Sequence, residues 1–298
     1  MGIVIGVTRP NFLPLAVVIC FAAFAAAFYA RLSFDPLSAI LALIAAVLLH
    51  ASVNAYNNYF DYRSKIDHRT TKTPFSGGVD LIVKGQVKPA TALAVASACL
   101  LGAAVIGAYF LERFFALLLP LIIYGIIAIV AYSPVLAKIP AVSEILAGTG
   151  FGLMGLGVYI TQTGLVDATG ISILVPVSIL VGLLLFLNEF PDRDVDQQAG
   201  RRHVVILLGK DKSAWVYVSG LIATYLSILI SVALKAAPLT ILITLATTPL
   251  AYKASQITLR NYDNTPQLVQ ALGTNVLVIL STIMLLAVGF GAGAYFHL

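Results

Sequence analysis

The chain has 298 residues, of which 60% are hydrophobic and only 10% charged. A soluble domain carries about a quarter charged residues, so 18 Lys and Arg with 13 Asp and Glu cannot coat a water-borne globule of this length. The wealth of apolar residues also excludes disorder. The solvent for most of this chain is lipid.

A membrane-spanning helix needs about 20 mainly apolar residues. Nine stretches qualify in chain order: 12–30, 37–58, 89–110, 114–132, 141–161, 170–190, 213–234, 238–257 and 267–296. Before the first, Arg9 is the lone basic residue and no small-residue cleavage pattern follows, so no signal peptide is expected. Cys20 and Cys99 lie within apolar runs and show neither CxxC spacing nor a disulfide framework. Gly148, Gly150, Gly152, Gly155 and Gly157 in the fifth span serve either close helix approach or space for a bound chain. The sequence leaves both open.

Placing the N-terminus and alternate loops on one side puts fifteen basic residues there and three (Arg31, Arg113, Lys235) on the other. By the positive-inside rule, the N-terminus and both long polar loops are cytoplasmic and the C-terminus is outside. The expected fold is an all-α integral membrane protein of nine transmembrane helices, multi-pass in the cell membrane. It reads as one domain, 1–298, with two four-helix halves (about 12–132 and 141–257) and a ninth helix.

The cytoplasmic ends of spans 2 and 6 carry the chemistry. One reads Asn57-Asn58-Tyr59-Phe60-Asp61; the other reads Asn188-Glu189-Phe190-Pro191-Asp192 and continues to Asp196. Residues four apart share a helix face, so Asn57 pairs with Asp61, and Asn188, Asp192 and Asp196 form a stripe. A single Asn-x-x-x-Asp is readily a helix cap or a solvated surface. Two copies 131 residues apart, on the same side and each followed by basic residues, point to a metal site and to an internal duplication. Oxygen-only ligand sets suit Mg²⁺, which takes one or two carboxylates and completes its shell with water and substrate phosphate. Two facing stripes would hold two or three such cations around a diphosphate, with Arg63, Lys65, Arg69, Lys72, Arg201 and Arg202 neutralising the remaining charge.

In these motifs the chain resembles the UbiA superfamily of intramembrane prenyltransferases, and the resemblance covers nearly its whole length. The resemblance implies nine helices, Mg²⁺ as cofactor, and transfer of a prenyl group from an isoprenyl diphosphate to an aromatic or other acceptor. The second motif, with Gly200-Arg201-Arg202 behind it, is similar to the family's. The first departs from the commonest spacing, because Lys65 stands four residues after Asp61 and the acid falls at Asp67. That longer spacing, with Tyr59 and Asp67-His68, resembles the menaquinone branch, the 1,4-dihydroxy-2-naphthoate polyprenyltransferases; Asn58 replaces a frequent Asp. Thr73 to Gly78 partly resembles a stretch of the archaeal ether-lipid branch. By resemblance, Asp61, Asp67, Asp192 and Asp196 with Asn57 and Asn188 hold metal, Tyr132 and Lys138 lie near the diphosphate, and Glu144 meets the acceptor.

His68 and His203 read as ordinary loop residues. His50 is expected to hydrogen-bond a neighbouring helix, Trp215 with Tyr217 to form an interfacial belt, and Asn275 to join helices. The implied partners are an isoprenyl diphosphate, a small aromatic acceptor and membrane lipid, with no nucleic acid. Two alternatives stand beside this reading. One is an archaeal lipid prenyltransferase acting on geranylgeranylglyceryl phosphate. The other is a secondary transporter, against which the acids cluster at one surface instead of the midplane.

Overall fold

A computed structural model describes residues 2–70, 72–75 and 78–296, and every regular element among them is helical. In chain order these are α1 (Gly2–Ile5), α2 (Pro14–Arg31), α3 (Pro36–Arg63), α4 (Pro89–Ala131), α5 (Val142–Thr163), α6 (Ala168–Gln198), α7 (Val204–Leu208), α8 (Lys210–Ala233), α9 (Thr248–Asn261) and α10 (Thr265–Phe296). Among the described residues, seven helices are long and apolar enough to cross a membrane: α2 with its preceding turn, α3, α4, α5, α6, α8 and α10. Leu101, Ile222 and Leu277 face outward while Ile19, Ile173 and Ile279 fill the centre. An apolar surface around an apolar core is the pattern of a protein solvated by lipid.

Three of the nine expected stretches therefore take a different form. Residues 89–110 and 114–132 lie in one 43-residue helix, α4, interrupted at Phe114 by non-helical angles (φ −131°, ψ 37°). The chain folds back there, since a Cβ on Gly107 would meet Ile122 Cδ1 at 3.4 Å, whereas fifteen residues of straight helix span about 22 Å. The stretch 238–257 becomes a 3₁₀ segment, Leu239–Thr247, followed by the 14-residue α9. Threonine side chains stabilise the tighter winding by bonding three residues back: Thr244 to Ile241 O (2.8 Å), Thr247 to Thr244 O (2.7 Å) and Thr248 to Leu245 O (2.8 Å). Pro249, which lacks an N–H, then sits in the first turn of α9, where none is needed.

The glycine stripe of α5 divides between the two roles the sequence left open. A Cβ on Gly148 would collide with the Ser178 carbonyl, and one on Gly152 with Ser178 Oγ, so these glycines let α5 lie against α6. Gly150 has open space in front of it and lines a cavity. At the far ends of the two motif-bearing helices stand matching caps: Asp35 accepts from Leu37 N–H and Ser38 N–H at the start of α3, and Asp167 accepts from Gly170 N–H at the start of α6. Asn275 joins helices as expected, donating to Leu183 O (3.3 Å) and accepting from Tyr217 (3.0 Å). Tyr217 is thereby buried and does not belong to a belt with the exposed Trp215. His50 departs as well: its Nδ1 has no hydrogen-bond partner, and the ring packs edge-on against Phe151, centroids 4.8 Å apart.

Candidate active site

The C-terminal ends of α3 and α6 meet over a cavity of about 320 Å³, lined by Asn57, Asp61, Asp67, Asn188, Asp192 and Asp196. Both motifs, read as distant segments of sequence, thus face one volume. Below the carboxylates the walls are apolar, built from residues such as Leu49, Ile129, Phe151, Leu184 and Ile279.

Helix geometry explains each motif. In α3, Asn57 donates to Asp61 Oδ2 at 3.0 Å one turn on, and also to Ser133 Oγ at 3.0 Å. The helix stops at Arg63, and Lys65 takes the left-handed conformation (φ 61°) that turns the chain back. Asp67 N–H then bonds Asp61 O at 3.3 Å, which brings the Asp67 carboxylate beside Asp61. Gly78 closes over this turn with φ +74°; a Cβ there would lie 2.7 Å from Asp67 Oδ1 and 3.0 Å from Arg9 Nη2, so both the backbone angle and the space demand glycine. In α6 the helix runs on through Pro191 to Gln198, and Asn188, Asp192 and Asp196 remain on one continuous face.

Arg201 ties the motifs together. Its guanidinium donates to Asp61 at 2.5 Å and to Asp196 at 3.0 Å. Burial works against the charged form, but Asp61 and Asp196 outweigh it and hold the Arg201 pKa above its ordinary value. Arg9, on the turn before α2, donates to Asn58 Oδ1 at 2.7 Å and Asn57 Oδ1 at 3.3 Å, while Asn58 Nδ2 holds Val7 O at 2.8 Å. Asn58 is fully buried and occupied with this arginine, so it anchors Arg9 and offers no contact to a cation.

Two carboxylate oxygens on the cavity wall, Asp67 Oδ2 and Asp192 Oδ1, are buried without a hydrogen-bond partner. Burial, and then the neighbouring Asp61 charge, push the Asp67 pKa up to about 6, against the pull of Lys72. Unsatisfied oxygens from both motifs, with no sulfur ligand beside them, fit a hard divalent cation such as Mg²⁺.

The structure does not bring all the expected basic residues to this volume. Arg63 lies along Tyr59, 3.3 Å from its hydroxyl and 6.0 Å from its ring centroid, and it is exposed, as are Lys65 and Arg69. Lys72 pairs with Asp67 (3.2 Å) and Asp80 (3.6 Å). Lys138 and Arg202 are exposed beside a backbone clasp, in which Arg202 N–H donates to Ala137 O and Ala141 N–H donates to Arg202 O. Tyr132 does reach the cavity. Glu144 is buried behind the wall, accepting from Val204 N–H at 2.6 Å and Ser143 Oγ at 2.7 Å. Ser76 and Gly77, in the stretch likened to the archaeal branch, lie outside the described residues.

Sequence reasoning missed Arg9, Ser143, Glu189 and His203, all of which line the cavity. His203 is 1% exposed, not an ordinary loop residue; His68 is exposed and rests against Tyr62. Arg9 had a signal, being the lone charge before the first apolar run. Glu189 had one too, as an acid one residue inside a motif.

The all-helical bundle thus brings two acidic helix ends together over one cavity with apolar walls. The chain belongs to the UbiA prenyltransferase family, whose profile it matches over residues 16–277. It is therefore a prenyltransferase. It is 26% identical over 231 residues to a 1,4-dihydroxy-2-naphthoate octaprenyltransferase of Bacillus subtilis, covering 73% of this chain and 72% of that one. In fold it is similar to a UbiA homologue from Aeropyrum pernix, with TM-score 0.70, 19% identity, and 95% and 97% of the two chains covered. It is also similar to a UbiA homologue from Archaeoglobus fulgidus solved with GPP and Mg²⁺, with TM-score 0.58, 16% identity, and 93% and 99% covered.

Proposed function

We propose that this prenyltransferase moves a polyprenyl group from an isoprenyl diphosphate to an aromatic quinone precursor such as 1,4-dihydroxy-2-naphthoate, releasing diphosphate. The observation that carries it is the pair of unpartnered carboxylate oxygens, Asp67 Oδ2 and Asp192 Oδ1, at the polar mouth of an apolar cavity. A diphosphate with a hydrocarbon tail has that same division. The naphthoate acceptor is favoured by the curated relative above and by the Asp61 to Asp67 spacing.

Mg²⁺ would be held by Asp61, Asp67, Asp192 and Asp196, with Asn57 and Asn188 contributing amide oxygens. When bound it neutralises the diphosphate and makes it a better leaving group. Arg201 and Arg9, which face the cavity, add fixed positive charge for the phosphate oxygens; Tyr132 stands on the same wall as a hydroxyl donor. The apolar walls hold the tail and keep water from the allylic carbon as its C–O bond breaks. The acceptor ring forms the new C–C bond, and with a naphthoate acceptor its carboxylate leaves as CO₂. Glu144 acts from behind the wall by holding Ser143 and the start of α7.

We further read the chain as nine crossings in the cell membrane, one domain with the N-terminus and both motif loops cytoplasmic. The fold-back at Phe114 makes α4 two spans, and the 3₁₀ segment with α9 makes one more. The matching caps Asp35 and Asp167, 22 and 21 residues before Asn57 and Asn188, support duplicated four-helix halves.

A labelled prenyl diphosphate is assayed in membranes with a panel of acceptors, including 1,4-dihydroxy-2-naphthoate and geranylgeranylglyceryl phosphate. Product with the naphthoate, lost in EDTA and in Asp61→Ala or Asp192→Ala protein that still elutes as a folded species, is expected. Full activity of either variant defeats the two-motif site.

A further inference from the structure

One wall of the cavity carries polar groups that diphosphate binding leaves unused. Ser143, Glu189 and His203 all line it. Glu189 and His203 are 5% and 1% exposed, yet Glu189 Oε2 and both ring nitrogens of His203 lack hydrogen-bond partners. His203 Nδ1 stands 3.6 Å from Glu189 Oε2, and Nε2 stands 3.4 Å from Asp196 Oδ2. Neither approach closes into a hydrogen bond. Leaving buried polar atoms unpaired is unfavourable, so atoms held this way on a cavity wall await a partner from the cavity.

The chemistry of the set selects that partner. Ser143 Oγ, whose one proton goes to Glu144 Oε2 at 2.7 Å, stands 3.2 Å from Glu189 Oε1, and Glu189 Oε2 is left as a bare acceptor. His203 offers an N–H or a lone pair beside it. A hydroxyl satisfies both, because it donates to Oε2 and accepts from the imidazole. A divalent metal is less well served. The third group within reach, Glu144, has both oxygens committed to Val204 N–H and Ser143 Oγ. Next to these polar atoms the wall is apolar, with Leu146, Ala147 and Leu185, and Gly150 leaves open space where a side chain would project. Apolar walls with open space between them suit the faces of an aromatic ring.

We infer that Glu189 and His203 form the subsite that binds a ring hydroxyl of an aromatic acceptor. This rests on the prenyl-transfer reading. It places the acceptor beside α6, between the motif carboxylates and the small-residue face of α5. A hydroxyl hydrogen-bonded to a carboxyl oxygen gives up electron density to its ring, most at the ortho and para carbons. Between the hydroxyls of a 1,4-diol, each ring carbon is ortho to one of them. The subsite therefore both orients the ring and raises its reactivity, without a proton leaving before the new bond forms.

The test is a binding titration in detergent, with Mg²⁺ and a non-transferable prenyl thiolodiphosphate present. The probes are 1,4-dihydroxy-2-naphthoate, kept anaerobic, and its 1,4-dimethoxy analogue. Wild-type protein is expected to prefer the diol by about tenfold, as one lost hydrogen bond to a buried group implies. Glu189→Leu is expected to bring the two probes within about twofold, with affinity for the thiolodiphosphate held within the same factor. If Glu189→Leu does not purify as a single species, Glu189→Gln carries the test, and the preference must fall at least about threefold. A preference that survives in the folded variants overturns the inference. So does a wild type that binds neither naphthalene, or one bound transition metal per chain that disappears in His203→Ala. Failure of the prenyl-transfer reading shows elsewhere, as absence of labelled product with every acceptor.

Discussion

The two motif ends solve one problem in different ways. At the end of α6 the helix carries on past Pro191, so residues four apart stay on one face and the i, i+4, i+8 stripe lines the cavity. At the end of α3 the helix is over at Arg63, and the second acid must come back from a turn. Lys65, four after Asp61, is where a continuing helix would put its acid; instead it has φ 61° and is exposed. Asp67 arrives by way of the Asp67 N–H to Asp61 O bond and is capped by Gly78. A spacing that departs from the repeat in sequence thus delivers a carboxylate to the same cavity, because backbone geometry and not residue count decides where a side chain lands.

The largest effect tests that equivalence. Asp192→Ala and Asp67→Ala are each expected to lower kcat/KM by about a thousandfold, the scale of removing a main electrostatic contact to a leaving group. A much smaller loss for Asp67 would break the comparison and leave the α6 stripe as the sole metal site. Adding Lys65→Asp to Asp67→Ala restores the commoner spacing on paper, yet it places the acid toward solvent. The double variant is expected to be no more active than Asp67→Ala alone, and recovery of turnover would show that α3 extends by a turn when a cation binds.

Arg201 is the second point of leverage, because it bridges an acid from each end, Asp61 and Asp196. Arg201→Met strips Asp61 and Asp196 of their counter-charge, and breaking a buried pair from one side costs about 3–5 kcal/mol. The thermal midpoint in detergent should drop accordingly without divalent cation and recover in large part with millimolar Mg²⁺. A midpoint indifferent to Mg²⁺ in this variant would mean that the cation does not sit between the motifs.

A smaller effect lies in the pH dependence of the α3 side. With its pKa raised to about 6, Asp67 binds a proton more tightly in the folded chain than in the unfolded one. Its contribution to stability is therefore present below the ordinary carboxylate range, near 4, and is lost as pH rises through about 6. Cation binding needs the carboxylate, so Mg²⁺ affinity should fall by up to about tenfold per pH unit below that value. Calorimetric titration at pH 7 and pH 5 reads the change directly. Asp67→Asn should flatten that part of the profile.

Much of this was legible from composition and period alone. The apolar stretches, both Asn-x-x-x-Asp motifs and the helix-joining role of Asn275 follow from residue type and spacing. What was not legible depended on backbone conformation and on distant contacts. Nothing local announces that Leu239–Thr247 winds as 3₁₀, because a threonine reads the same in sequence whether or not its hydroxyl bonds three residues back. The basic residues were misplaced for a related reason. Charge density in a loop shows that phosphate is welcome nearby, but Arg201 reaches the cavity while its neighbour Arg202 points outward, and only the clasp between Arg202 and Ala137 decides which.

The smallest effect separates two glycines two residues apart on α5. Gly148 faces α6 so closely that a methyl group must push the Ser178 carbonyl aside. Gly148→Ala should therefore destabilise the bundle by about 1–3 kcal/mol, the usual range for overfilling a tight contact. Gly150 meets nothing within 4 Å in the same direction. Gly150→Ala should leave the fold intact, or stabilise the helix by about 0.5–1 kcal/mol through its lower backbone entropy. Its methyl group enters the cavity, so it should weaken acceptor binding a few-fold while the thermal midpoint holds or rises. If both variants lose stability equally, the division of that stripe between helix contact and ligand space is wrong, and α5 presents its glycines to α6 alone.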